Sequence, residues 1–225
     1  MQANRLEILY EDNHLLAINK PAGLPTMGVA ANIPSLVTLA KQYIKARYRK
    51  PGNVYLGIMS RLDAATSGVV LLARTSKAAA RLTDQFRGRI VEKTYWAIVS
   101  GLVEPAEGAW TDWVVKDEAQ QRMVIVLPNH PAAKKAELAY RLIRSIGQGS
   151  LLEVDLKTGR KHQIRLQFSS RGYPVWGEQK YGKGMPFSPG MALHARRLVI
   201  EHPVGKKPIE IVAPTPKSWR ALGIG

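Results

Sequence analysis

The stretch "SRLDAATSGVVLLA", residues 60–73, joins a turn to a strand. Thr66, Ser67 and Gly68 are turn formers, and the apolar run after them has the length of a buried strand and is far short of a membrane span. Upstream, "NVYLGIM" (53–59) also reads as a strand, so the connection between the two holds a lone carboxylate, Asp63, two residues after Arg61. Read by itself, Asp63 is a turn residue that accepts hydrogen bonds from nearby backbone N–H groups.

Working outward, "LEILY" (6–10) and "LLAIN" (15–19) predict two strands flanking the turn "EDNH", and "KPAGLP" then predicts a loop. Residues 35–49 place Leu36, Leu39, Ala40, Tyr43 and Ile44 at helical spacing with Lys41, Lys45 and Arg49 on another face, and "PG" stops the helix. A second helix is predicted at 76–87, capped by Thr75 or Ser76, with Ala79, Leu82 and Phe86 as its apolar stripe. From residue 91 the period changes to two: in "VEKTYWAIV", Lys93 and Tyr95 point the same way. Strand-like runs follow at "WTDWVVK", "QRMVIVL", "AELAYRLI", "LLEVDL", "LVIEH" and "IEIVA". Consecutive strands with few helices predict an α+β fold with a mixed, largely antiparallel sheet. No repeat, low-complexity segment or long linker breaks the chain, so residues 1–225 read as one domain.

Composition narrows the chemistry. The absence of cysteine excludes disulfides, thiolate-bound zinc, iron–sulfur clusters and thiol nucleophiles, and the five histidines are scattered without metal-ligand spacing; no metal is expected. The N-terminus lacks a basic region followed by an apolar run, which predicts a soluble intracellular protein with no membrane partner. Lys and Arg number 33 against 17 Asp and Glu, a net charge of +16, concentrated as +12 in residues 119–225 against +4 before them. Such an excess on a chain that is 45% hydrophobic describes a folded basic domain rather than a disordered tail, with a polyanion, most simply nucleic acid, as its partner.

Two further segments carry candidate residues. In "KTGRKHQIRLQF" (157–168), a helical "GRKHQIRLQF" sets Ile164 and Phe168 on an apolar face with Arg160 and Lys161 near its start. It is either a basic surface helix or one whose Arg165 reaches into a cleft to hold a carboxylate, for which a planar, permanently charged guanidinium is suited. Tyr95, in "EKTYWAIVSG", is either a sheet residue or, lining a basic cleft, a platform for a nucleobase.

Taken in order, "SRLDAATSGVVLLA", "EKTYWAIVSG" and "LKTGRKHQIRLQF" resemble the signature segments of the RluA-type pseudouridine synthases, and the similarity runs from "YEDNHLLAINKPAG" to "ALHARRLVIEHP" and "IVAPTP". The resemblance implies the pseudouridine synthase fold, with helices flanking the sheet and a central basic cleft. It implies an isomerase that exchanges the N1–C1′ bond of selected uridines for a C5–C1′ bond in structured RNA, rRNA or tRNA, with neither metal nor organic cofactor. Asp63 would be the catalytic carboxylate, whether it attacks C1′ or C6 or acts through a glycal, with Arg165 as its counter-ion. Tyr95 would pack on the target base and pass a proton at C5. The uridine must be flipped out to be reached. Arg61 would fill the space it leaves, Thr66, Ser67 and Gly68 would shape the loop that aims Asp63, and Lys93, Arg160, Lys161, His162 and Gln163 would contact RNA.

Two positions depart from the family pattern: Ser60 replaces a His before R-L-D, and Gln167 replaces a His after I-R. The chain also begins close to the catalytic segment, without the S4-type domain of many relatives, so RNA affinity is expected from the domain's own surface, acting as a cytoplasmic monomer. The competing reading is a basic RNA-binding protein without chemistry. A glycoside hydrolase would need a second carboxylate, for which Glu153 and Asp155 are the only candidates.

Overall fold

The computed structural model describes residues 6–28, 30 and 32–224; the remaining positions of the expected 1–225 domain lie outside the described residues. In chain order the elements are β1 (Glu7–Glu11), β2 (Leu15–Lys20), α1 (Leu36–Arg47), β3 (Gly57–Ile58), β4 (Ser67–Ala73), α2 (Ser76–Arg87) and β5 (Glu92–Ser100). Then come β6 (Glu107–Asp117), β7 (Arg122–Val126), β8 (Lys134–Ile146), β9 (Gly149–Leu156), α3 (Gln163–Ser169), β10 (Leu193–Glu201), β11 (Pro208–Val212) and α4 (Lys217–Arg220).

The strands form a single sheet in the order β1-β2-β4-β10-β5-β9-β8-β6-β7, with β11 added to β10 and β3 to β4. Every pairing is antiparallel except β4 with β10, which run parallel through Ser67↔His194 and Gly68↔Ala195. The expected α+β, largely antiparallel architecture is what the chain adopts.

β4 is buried at all of its positions because helices cover both faces. On one side Val69, Leu71 and Ala73 pack with Ala78 and Leu82 of α2; on the other Val70 and Leu72 pack with Leu36, Ala40 and Ile44 of α1. A strand covered twice reads as an unbroken apolar run, which is why "VVLLA" shows no alternation. Both helices begin where side chains satisfy their first N–H groups: Ser35 and Thr38 make a reciprocal capping box on α1, and Thr75 caps α2.

Three expectations change in detail. The predicted strand 53–59 shrinks to Gly57–Ile58, because Val54 and Leu56 bury their side chains in the α1 layer while the ladder on β4 engages only Gly57 and Ile58. In α2 the buried positions are Ala78, Leu82 and Gln85, with Ala79 and Phe86 only partly covered. The helix expected from residue 159 starts at Gln163, since His162 adopts a left-handed φ of 55° and the Gln163 side chain caps Arg160 N–H at 3.0 Å, holding 158–162 as a loop.

The free edge of β4 is divided, β3 pairing at Leu72–Ala73 and β10 at Ser67–Gly68. The connection 59–66, with Asp63, emerges beside this division, at the middle of the sheet. Gly68 makes the parallel seam possible: its φ is +112°, and a Cβ there would collide with the Ala195 carbonyl oxygen and stand 2.6 Å from the Ala195 nitrogen. Gly68→Ala is therefore expected to lose at least ~1–3 kcal/mol of stability from backbone strain alone, read as a lower urea midpoint; an unchanged midpoint would contradict the account of the seam.

Candidate active site

The loop bearing Asp63 is fastened through its backbone. The Thr26 hydroxyl donates to Leu62 O (2.8 Å) and accepts from Leu62 N–H (3.2 Å). Ala64 O accepts from Gly23 N–H (2.8 Å) and from the ammonium of Lys20 (3.1 Å), and Ala65 O accepts from Met191 N–H (3.0 Å). Lys20 is fully buried and also donates to Pro21 O and Leu24 O; burial pulls its pKa down to about 8, against the opposing pull of the Asp63 charge. With the flanking carbonyls occupied, the Asp63 side chain is left free for longer-range partners.

Those partners are Arg165 and His162. Arg165 Nη1 donates to Asp63 Oδ2 at 2.7 Å, and His162 Nε2 stands 3.4 Å from Asp63 Oδ1. Asp63 does not act as a turn carboxylate: among the described residues no backbone N–H donates to its side chain. The other two arms of the Arg165 fork, Nε and Nη2, grip both oxygens of Glu178 at 2.6 and 2.9 Å. Glu178 is buried, and its Oε1 also accepts from the N–H groups of Gln179, Lys180 and Tyr181. The Tyr181 hydroxyl meets His162 Nδ1 at 2.6 Å and accepts from Met123 N–H, so the imidazole is oriented from behind.

Burial raises the Asp63 pKa, but the contacts and charges of His162 and Arg165 outweigh it and hold the carboxyl down at about 2. The Tyr95 phenol goes the other way, pushed up to about 12 by burial and then by the Asp63 charge. The site thus presents an ionised carboxylate beside a neutral phenol. Together with Arg61, Thr66 and the apolar Ile164 and Leu193 they line a cavity of about 80 Å³ that opens into a groove of about 760 Å³.

Of the residues expected here, Asp63, Tyr95, Arg165, Arg61, Thr66, Arg160, Gln163 and His162 line the cavity, and Lys93 and Lys161 line the groove outside it. His162, expected to contact RNA, instead braces the carboxylate. Ser67, expected to shape the loop that aims Asp63, is buried with its hydroxyl against His194 Nδ1 at 2.9 Å, so it anchors the end of that loop and does not face RNA. Gly68 serves the sheet seam. Gln163 edges the cavity and organises the loop: its Oε1 accepts from the Thr158 hydroxyl and Arg160 N–H, and its Nε2 donates one of its two N–H groups to Glu137 O. Of the two departures from the family pattern, Ser60 accepts from Leu71 N–H, and Gln167 donates to Asp112, away from Asp63.

Sequence reasoning missed Glu178, Tyr181, Lys20 and Thr26. One signal was present for Glu178: it is one of only six acids in residues 119–225, set within "VWGEQKYG". Among the described residues no cluster of three His, Asp or Glu side chains is arranged to hold a metal, and no helix is long and apolar enough to cross a membrane.

A mostly antiparallel sheet with this central cleft is the fold of pseudouridylate synthase domains. The chain is similar to the structure titled Human RNA Pseudouridylate Synthase Domain Containing 4, with a TM-score of 0.78 and 26% identity over 96% of this chain and 93% of that one. Residues 14–170 match the RNA pseudouridylate synthase family. Among curated relatives, the chain is 32% identical to Ribosomal large subunit pseudouridine synthase D of Zymomonas mobilis, over 96% of this chain and 71% of that protein. It is 35% identical to Dual-specificity RNA pseudouridine synthase RluA of Haemophilus influenzae, over 88% of each. The chain belongs to the RNA pseudouridylate synthase family, isomerases that convert uridine to pseudouridine in RNA.

Because the folded pKa of Asp63 lies below its ordinary value of 3.8, the ionised side chain adds stability above that range, and the contribution is lost as the pH falls through about 2. A carbon-detected NMR titration of the Asp63 carboxyl is expected to give a midpoint near 2 in the wild type and a clearly higher one in Arg165→Gln, where burial is opposed by one cation fewer; equal midpoints would refute the electrostatic assignment.

Proposed function

We propose that the protein isomerises particular uridines in structured ribosomal or transfer RNA, working as a cytoplasmic monomer and as one catalytic unit over its 225 residues. The observation that carries this reading is the Asp63 carboxylate, ionised and held at 2.7 Å by a guanidinium that is itself anchored to a buried acid. The printed names of the relatives, a ribosomal large subunit synthase and a dual-specificity RNA synthase, support ribosomal RNA as one candidate and more than one kind of RNA substrate. Support for a monomer is that Asp63, Arg165, His162 and Tyr95 all come from one chain.

In this reading the target uridine leaves its stack at a cost of a few kcal/mol and enters the cavity, its base against the Tyr95 ring. Asp63 is the catalytic group, Arg165 and His162 keep it charged and aimed, and Arg61, exposed at the cavity mouth, occupies the vacated space. The N1–C1′ bond breaks, the uracil turns, C5 bonds to C1′, and the proton lost from C5 is matched by one gained at N1, so the product is an isomer that needs no external reactant. A phenol with a pKa of about 12 is a poor resting base, which favours the packing role for Tyr95. If it takes the C5 proton, the part of its raised pKa that comes from the Asp63 charge is relieved only in a route where Asp63 is uncharged at that step. The intact set of Asp63, Tyr95 and Arg165 supports turnover over a purely RNA-binding role.

Purified protein is expected to form pseudouridine in RNA lacking the modification, and Asp63→Asn to abolish turnover while leaving RNA affinity within a few-fold; equal activity of the two would end the proposal. Arg165→Met, which strands two carboxylates, is expected to cost ~3–5 kcal/mol between stability and transition-state binding. RNA affinity is expected to fall with ionic strength at a logarithmic slope of roughly −0.7 to −0.9 per phosphate contacted, and a flat dependence would contradict the basic groove as the RNA site.

A further inference from the structure

The groove outside the Asp63 cavity is lined by two unlike kinds of side chain. One is cationic: Lys93 projects from β5 beside Tyr95, and Lys161 stands on the loop before α3; neither is ion-paired with a carboxylate among the described residues. The other is apolar: Met27 from the loop after β2, Ile58 and Met59 at β3, and Phe86 at the end of α2. Met27 is 44% exposed although the residue before it is fastened. Thr26 is buried, and its hydroxyl holds both backbone groups of Leu62, one residue from Asp63. The backbone leading to Met27 is thus anchored to the loop that carries Asp63, with the thioether exposed in the groove lining.

An apolar surface beside uncompensated ammonium groups fits a ligand with a flat, weakly polar face and an anionic edge, which is the chemistry of a nucleotide. Among the described residues Asp63 is the only acid lining this groove, and Arg165 holds one of its oxygens, so the cations there outnumber the carboxylates. The cavity accepts one base, and the groove is continuous with it through Arg61, Asp63, Tyr95 and His162. A strand that delivers one base to the cavity must lay its neighbour in the groove.

Resting on the function proposed above, we infer that Met27, Ile58, Met59 and Phe86 form a second base subsite. It receives the unstacked base of a nucleotide next to the target uridine, while Lys93 and Lys161, in the same groove, hold the phosphate chain. Sulfur and aromatic surfaces accept any base face without reading its hydrogen-bonding edge, so this subsite contributes affinity and conformation rather than base identity. It favours an RNA whose loop can splay at two adjacent nucleotides over one that can present only a single flipped base.

The test uses a short oligouridine and two versions of it with an abasic residue on the 5′ or the 3′ side of the central uridine, binding being read by fluorescence anisotropy. Met27→Ala and Phe86→Ala are each expected to weaken the intact oligomer about five-fold or more, the scale of one lost base stack, and to leave unchanged the affinity for the abasic oligomer that lacks the docked base. A 2-aminopurine placed at that position is expected to change its emission on binding wild type and to do so much less with the variants. Met27 is a rim residue, so Met27→Ala carries the test if Phe86→Ala melts early. Equal weakening on all oligomers, or wild-type affinity in Met27→Ala, would overturn the subsite and leave the RNA reading standing. Failure of wild type to bind the intact oligomer would remove both.

Discussion

The guanidinium of Arg165 is shared between two carboxylates, and the site depends on that division. Glu178 takes two arms of the fork and satisfies its remaining acceptor capacity with three backbone N–H groups, so it remains charged although buried. This second anion pins the guanidinium plane, and the one free arm meets Asp63 in a single orientation. Without Glu178 the arginine could turn bidentate toward Asp63 and quench it. With it, Asp63 receives enough positive charge to stay ionised and keeps one oxygen oriented by His162.

The sheet supplies the other constraint. Dividing the edge of β4 between β3 and the parallel contact with β10 leaves the preceding loop no continuous ladder to join, and its carbonyls are met instead by Lys20, Gly23, Thr26 and Met191. These groups come from two distant parts of the chain, so the position of Asp63 is determined by the core rather than by its own turn. A buried Lys20 costs desolvation, seen in its depressed pKa, and three carbonyls offset that cost where a second carboxylate would have competed for Arg165.

Charge and apolar surface share the groove. The cations lining the groove, Arg61, Lys93 and Lys161, are free of acidic partners among the described residues, whereas Arg197 is paired with Glu92 and Glu210, and Arg89 with Glu137. The proposed path of the RNA strand therefore carries unpaired positive charge beside apolar side chains.

Most strands and the first two helices were legible in the sequence because their signals are local: period two in "VEKTYWAIV", a capped apolar stripe in 35–47, and an unbroken apolar run in β4. Asp63, Tyr95 and Arg165 were legible as an ordered set of motifs. The start of α3 was not, because a left-handed His162 is held by side-chain bonds across the loop. Nor was the inward turn of Ser67 toward His194, 127 positions away. The sequence by itself determined most of the strands and the first two helices, the basic character and, through its ordered motifs, the candidate carboxylate. Only the tertiary structure decided that Glu178, Tyr181 and Lys20 stand around it and that the Ser67 hydroxyl is spent on His194. Hydrogen bonds between groups that far apart follow from strand order and register, and those emerge only when the whole sheet has formed.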